Sequence, residues 1–472
     1  MQTQCSETQL EFQGVGSRRV LAQFNGGHIT SDGGALLLRE LDERLGISRR
    51  FAQCFEDHRD QGLIEHTVQE LVRQRVYGLA LGYEDLNDHD DLRHDPLLAV
   101  AAGKVDPEGQ QRKRAQDKGC ALAGKSTLNR LELTPEQLDP ANRYWKIVHD
   151  AERIEDLFVT LFLEGHGEEP DEILLDFDAT DDPLHGHQEG RFFHGYYDEY
   201  CYLPLYVFCG DHLLVARLRT SDRDASDGST EILTWLVQRI RERWPHTRIV
   251  ARADSGFTRD DFMNACEGRE QVYYVLGLAK NSRLLKKIGV ELVQAKERYE
   301  ETGQAARVFT EFLYRTRDSW SRNRRVIAKA EHLSKGANPR FIVTNLTGDD
   351  VQARALYEQT YCARGDMENR IKEQQLDLFA DRTSTHKMRS NQLRVWLSSL
   401  AYVLASGMRR VGLKGTRMAH ATCGTIRLHL FKIGGLVKVS VRRVAVFLAS
   451  ACPYQDVFHE AYANIRRVPL RC

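Results

Sequence analysis

Ile173-Leu174-Leu175-Asp176-Phe177-Asp178-Ala179-Thr180 is a short apolar run with two carboxylates set into its end. Its length and apolar character predict a buried strand. Asp176 and Asp178 are two residues apart, so they project from the same face of that strand. A bare carboxylate on a buried strand is costly to desolvate unless it is paired or bound to a cation. The competing reading is a strand that frays into a solvated turn over residues 178–182.

Working outward, residues 202–209 and 213–218 flank Gly210-Asp211, the turn chemistry of a hairpin. Helical periodicity follows over 231–243, a strand over 248–253, a helix over 259–266 and a strand over 271–279. The order β, β, β, α, β, α, β is that of a mixed α/β sheet, the element order of an RNase H-like core. Residues 281–350 interrupt it with charged loops and strand-like runs at 325–328 and 340–343, predicting a β-rich insertion. Helix resumes over 351–378 and 388–405.

Upstream, residues 1–140 read as mostly helical. Asp32, then Ala35, Leu36, Leu37, Leu38, Leu41 and Leu45, then Gly46 predict an N-cap, an amphipathic helix and a glycine stop. A second helix runs through Val68, Leu71, Val72, Val76 and Leu79, and 106–119 reads as a polar loop. The expected organisation is a helical region over 1–140 and a connecting helix within 141–170, with a helix around 144–163. The core then occupies 171–280, the insertion 281–350, the returning core helix 351–410 and a C-terminal region 411–472.

Two further stretches carry chemistry. In Arg248-Ile249-Val250-Ala251-Arg252-Ala253-Asp254-Ser255-Gly256-Phe257 a second apolar strand ends in an aspartate. Strand ends of open α/β sheets are where sites collect. Asp254 as a mere helix cap is the alternative, although Thr258 offers the next helix a cap of its own. In Tyr361-Cys362-Ala363-Arg364-Gly365-Asp366-Met367-Glu368-Asn369-Arg370-Ile371-Lys372, regular helix geometry puts Tyr361, Arg364, Glu368, Lys372 and Gln375 within roughly an 80° arc. The plain account of that face is a surface ladder of weak ion pairs.

Asp-x-Thr at one strand end, Ala-Asp-x-Gly-Phe at another and Tyr-x2-Arg-x3-Glu on a helix together resemble the DDE transposases of bacterial insertion sequences, more narrowly the thirteen-eighty group. Residues 28–40 (His-Ile-Thr-Ser-Asp-Gly-Gly-Ala-Leu-Leu-Leu-Arg-Glu) and 82–88 (Gly-Tyr-Glu-Asp-Leu-Asn-Asp) extend the resemblance over about 20–410. It implies an RNase H-like catalytic core, a helical N-terminal DNA-recognition region and a metal-binding triad of Asp178, Asp254 and Glu368. Two Mg²⁺ ions, or Mn²⁺ in their place, would drive in-line attack at phosphorus, with Tyr361, Arg364 and Lys372 gripping phosphates. The implied partners are double-stranded DNA, both terminal inverted repeats and target, and a second copy of the chain in the DNA complex. The broader signature has Lys seven residues after Glu368, where this chain has Gln375; Lys372 on the same face is the other source of that charge. Trp320, amid arginines in the insertion, would stack on a base drawn from the duplex, the alternative being a core tryptophan. One rival shares these residues, an RNase H-like nuclease that cuts without joining; the other, an inactive transposase-derived DNA-binding protein, would be marked by loss of a triad carboxylate, and all three are present.

Other features weigh less. Gly119-Cys120-Ala121-Leu122-Ala123-Gly124-Lys125-Ser126 fits the P-loop pattern but follows a basic, polar stretch instead of a strand, so no nucleotide is expected. The Asp88–Asp95 stretch with His89 and His94, and the loop histidines His185, His187 and His194, are weak metal candidates. Ten scattered cysteines with no Cys-x-x-Cys pair predict reduced thiols in place of a disulfide or zinc framework. No apolar run of spanning length exists and Met1–Glu7 lacks a signal pattern, which predicts a cytoplasmic protein with no membrane partner; the resemblance implies a bacterial one, nucleoid-associated when bound to DNA. The net charge of -1 hides an asymmetry. Residues 381–472 hold 16 Lys and Arg against three acids, a charge of +13 that leaves -14 for the rest. That distribution predicts a phosphate-binding C-terminal surface.

Overall fold

A computed structural model describes residues 9–139 and 141–470. Met1–Glu7, Cys5 and Cys472 lie outside the described residues. The chain forms two compact units, one from residues 150–399 and one from residues 1–149 and 400–472.

The first unit is built on a nine-stranded mixed sheet. In chain order its elements are α1 (Ala151–Glu164), β1 (Glu172–Ala179), β2 (Leu205–Cys209), β3 (His212–Arg217), α2 (Ser229–Arg241), β4 (Arg248–Ala253), α3 (Asp260–Glu267) and β5 (Val272–Leu278). They are followed by α4 (Ser282–Lys287), α5 (Gly289–Thr302), β6 (Ala306–Tyr314), β7 (Arg324–Leu333), β8 (Arg340–Thr344) and α6 (Gly365–Lys372). The strands lie in the order β3-β2-β1-β4-β5-β8-β7-β6, with the short strand Gly336–Ala337 beside β7. β1, β4 and β5 run parallel; β2 pairs antiparallel with β1, and β3 turns back along β2 through Gly210, at φ of 56°. This is the RNase H-like order that the sequence predicts. The insertion does not stand apart: β8, β7 and β6 continue the same sheet beyond β5, antiparallel throughout. Its charged stretch 289–302 is helix, not loop.

The alternation along β1 and β4 divides the sheet's faces. Ile173, Leu175, Phe177, Ile249, Ala251 and Ala253 enter a core shared with α1, α2 and α3 through Phe162, Leu236 and Phe262. Residues at the other parity, Asp176 and Asp178 on β1 and Arg252 on β4, take the opposite face. There Val250, Val275 and Ile342 pack with Leu356 and Tyr357, on the helical segment that leads into α6. The second face thus sets these ionisable groups beside a smaller apolar cluster, beneath one helix.

The second unit joins both ends of the described chain. The helix at Ala35–Leu45 ends at Gly46 as expected, but Asp32 does not cap it; the N-cap is Gly34. Asp32 is buried, accepts from Ser31 Oγ at 2.8 Å and Tyr83 Oη at 2.7 Å, and pairs with Lys432 at 2.7 Å. Gly33 and Gly34 donate to the carbonyls of Ile433 and Phe431 at 2.8 and 3.0 Å. The Ser31-Asp32-Gly33-Gly34 and Gly82-Tyr83 motifs therefore fasten the 430–433 segment. Residues 1–140 are less uniformly helical than the pattern predicts, since Leu10–Val15 and Arg18–Ala22 form an exposed hairpin and His28–Thr30 pairs with Gly435–Ser440. The helix expected from 144 starts at Ala151 under an Asp150 cap, because 147–149 is a strand. The P-loop-like segment follows a 3-10 turn at Ala115–Asp117, and Lys125 pairs with Asp90 at 3.4 Å. His89 is buried beside Gln74, and burial lowers its pKa to about 3, so it is neutral. No disulfide joins the eight described cysteines, and no helix of the described residues is long and apolar enough to cross a membrane.

The close approach at Gly34 is directly testable. A Cβ there would stand 2.0 Å from the Leu430 carbonyl oxygen, whereas one at Gly434 would meet nothing within 4 Å. Gly34→Ala should lower stability by about 1–3 kcal/mol in urea unfolding, with Gly434→Ala close to wild type; equal midpoints would refute the clamp.

Candidate active site

Asp178 leaves the sheet at the end of β1, half-buried, and its Oδ1 accepts from the amide of Ala179 at 3.0 Å. Asp254 follows the last residue of β4, and its Oδ1 accepts from Gly256 N at 2.8 Å, capping a 3-10 turn over Ser255–Phe257. It does not cap α3, which begins after Arg259 without a side-chain cap. Thr258 is not that cap either: its hydroxyl donates to the carbonyl of Gly277 on β5. Glu368 lies on α6, half-buried.

Arg364 connects them. Its guanidinium donates to Asp178 Oδ2 at 3.2 Å and pairs with Glu368 Oε1 at 2.7 Å. Residues 364 and 368 are the rung that would make a surface ladder, but the arginine reaches inward to the strand end. Burial pushes Asp178 up to about 7; Arg364 opposes the rise, while the charges of Asp254 and Glu368 add to it. Asp254 and Glu368, distant from it in sequence, therefore both act on Asp178 through space. Burial alone would lower Arg364, yet Asp178 and Glu368, with Tyr361 and Asp254, carry it above its ordinary value.

The donor set fits a hard divalent cation: oxygen atoms only, with one carboxyl whose charge is unfavourable until a cation offsets it. Among the described residues no three acidic, His or Cys side chains stand close enough to hold a metal ion as they are, with the Arg364 guanidinium between Asp178 and Glu368.

The helix from 353 to 377 is not the uniform α-helix its periodicity predicts. It passes through a π segment (Leu356–Tyr361), a 3-10 turn (Cys362–Arg364), α6 and a second π segment (Glu373–Asp377). Tyr361 nonetheless reaches the site. A Cβ on Gly277 would lie 2.5 Å from its hydroxyl and 2.9 Å from Ser255 N, so the glycine leaves the space that the phenol fills. Burial raises the Tyr361 pKa, as does the charge of Asp254, against Arg364. Lys372 is exposed at the end of α6, and Gln375 turns back to donate to the Asp181 carbonyl at 2.9 Å, just past β1. Trp320, in the β6–β7 connection, is only 5% exposed. It packs edge-on against Tyr314 at 5.8 Å, with Arg324 5.5 Å from its ring, and is buried instead of standing free among the arginines.

Gly277 and Tyr197 escape a residue-by-residue reading, as does the partner that Asp176 takes. Asp176 forms a bidentate pair with Arg252 on the neighbouring strand; burial pushes it up, and Arg252 pulls it back. Gly277 has the signal of a glycine inside a strand, which marks close approach of another group. Tyr197, in the loop after β1, has its pKa raised by burial and by the charges of Asp181 and Asp178.

The fold defines the class: an RNase H-like core whose sheet is prolonged by an insertion, with acidic residues at two strand ends and on the returning helix. The family described as transposase DDE domain group 1 matches residues 12–470, and the chain belongs to it. It is thus a transposase of the DDE class, a family of DNA-cleaving and DNA-joining enzymes. No curated protein matches the chain. Among solved structures, the cryo-EM structure of the piggyBac transposase synaptic complex with hairpin DNA is similar at 12% identity over 84% of this chain and 79% of that one, with a TM-score of 0.41. A likeness that distant bears on neither substrate nor mechanism.

The raised Asp178 pKa has a thermodynamic consequence. Its folded value of about 7 exceeds the unfolded value of about 3.9, so the native state holds the extra proton between them, and charging Asp178 as pH rises through 7 costs stability. Asp178→Asn removes that cost. In EDTA the variant should melt above wild type at pH 8, with the gap closing towards pH 5; a lower Tm at pH 8 would contradict the electrostatics described.

Proposed function

We propose that the protein is an insertion-sequence transposase that binds the terminal inverted repeats of its element, cleaves DNA strands and joins the freed 3′-hydroxyls to a target. The observation that carries this reading is the meeting of two neighbouring strand ends, bearing Asp178 and Asp254, with the helix bearing Glu368 through Arg364, which lies 3.2 Å from Asp178 and 2.7 Å from Glu368, in a chain of this family. These three carboxylates would hold two Mg²⁺ ions, which when bound supply an activated water or 3′-hydroxyl and offset charge on the leaving oxygen. Asp178 would need to lose its proton, which its position among like charges resists until a cation replaces the Arg364 contact. Arg364, swung from Asp178, would offer its forked donors to a phosphate beside the attacked bond. Tyr361, seated over Gly277, would hold the same strand from the Asp254 side, and Lys372 would add a point charge further along the helix.

DNA outside the site would meet the basic C-terminal region. Lys438, Arg442 and Arg443 are exposed around the tip of the Gly435–Ser440 and Arg443–Leu448 hairpin, suited to phosphates. A homodimer in the DNA complex would bring two element ends together.

The test is strand cleavage by the purified full-length chain on DNA bearing the inverted repeats that flank its gene. Cleavage should require Mg²⁺, and Asp178→Asn, Asp254→Asn and Glu368→Gln should each slow it more than about 100-fold while end binding changes little. Wild-type rates in any one of the three would remove that residue from the triad. DNA affinity should fall steeply with salt. Replacing Lys438, Arg442 and Arg443 together by Ala should reduce the log–log salt slope by about 3; an unchanged slope would exclude that hairpin from the interface.

A further inference from the structure

Arg252 is 5% exposed and its partner Asp176 4%. The two are cross-strand neighbours on parallel β4 and β1, two residues before Asp254 and Asp178 respectively. They therefore form one layer of the sheet face directly beneath the layer of the two candidate metal ligands. The guanidinium makes the fork–fork pair with Asp176, Nη2 to Oδ2 at 2.7 Å, and has donors left over. Nη1 donates to the carbonyl of Thr360 and Nη2 to that of Ala363 at 3.2 Å. Those carbonyls flank Tyr361 and immediately precede Arg364. The helix changes there from its π segment to its 3-10 turn, a change in winding that resets the direction of every side chain beyond it. One buried side chain thus bonds to both strands that carry the aspartates and to the helix that carries the glutamate.

We propose that Arg252, braced by Asp176, is a positioning residue that fixes the rotation and register of the 360–368 segment, so that Arg364 and Glu368 face Asp178 and Asp254. The proposal rests on the reading of those carboxylates as the active site. Arg252 touches neither DNA nor metal; it acts through the helix. Its charge alone does not suffice, because a lysine cannot present the planar fork that serves Asp176 and two carbonyls together. The pair is also not needed merely to hold the sheet, since buried ion pairs can be exchanged for apolar side chains of similar volume without loss of stability.

Two variants separate these roles: Arg252→Lys, and the double substitution Asp176→Leu with Arg252→Met. Hydrogen exchange is measured on the metal-free, DNA-free full chain, and half-saturating Mg²⁺ is measured in end cleavage. Both variants should fold, with exchange in the 356–372 window faster by about tenfold or more and β1 and β4 unchanged. Half-saturating Mg²⁺ should rise about 10–100-fold, as for other loosened metal-site supports, at unaltered end affinity. Wild-type exchange in that window in either folded variant would overturn the proposal, as would a wild-type Mg²⁺ requirement. Failure of both variants to fold would overturn it too, by making the pair a requirement of the sheet itself. If wild type shows no Mg²⁺-dependent cleavage while the exchange effect is present, it is the reading of the active site that fails, and the clamp remains.

Discussion

A buried guanidinium has to find acceptors for its donors, and Arg252 finds them on β1 and on the helical segment that crosses above it. Much of the candidate site follows from that constraint. The parallel register of β1 and β4 sets Asp176 opposite Arg252, and continuation of the two strands by two residues brings out Asp178 and Asp254 side by side. The helical segment cannot rotate freely over this face, because two of its carbonyls are held from below. Glu368, one turn past Arg364, is carried with it.

The same region stores unfavourable electrostatics. Asp178 is pushed to about 7 by burial and by two like charges, and Arg364 only partly relieves it. Structural carboxylates are usually arranged the opposite way, with pKa values held low by their partners, as Asp260 is by Ser321 and Arg324 despite its burial. Asp178 is held the other way, its charge opposed by burial and by its acidic neighbours.

Much of this was legible from residue order alone, for identifiable reasons. Strand periodicity is local and strict, so the shared face of Asp176 and Asp178 follows from two residues' separation. The RNase H-like order follows from the run of elements. Arg252 lies in an apolar strand of evident type, but its role depends on partners 76, 108 and 111 residues away, which no local pattern encodes. Helix periodicity served less well than strand periodicity, because it assumes even winding and this helix alternates π, 3-10 and α turns. Asp32 has the local signature of an N-cap, and only the folded chain supplies Tyr83 and Lys432 as its partners. The arginines around Trp320 suggest exposure, yet the ring folds onto Tyr314 within the same hairpin. The near-zero net charge is the clearest case of a sum concealing its parts.

Asp178, Asp254 and Glu368, far apart in the chain, are proposed to share a divalent cation. Iron-directed peptide cleavage tests it most directly. With Fe²⁺, ascorbate and peroxide, hydroxyl radicals cut the backbone beside the bound metal, and the fragments can be mapped by mass spectrometry. Cuts are expected within residues 176–180, 252–256 and 364–370, all suppressed together by excess Mg²⁺. Cuts confined to other segments, or cuts in these three that Mg²⁺ does not compete away, would contradict it.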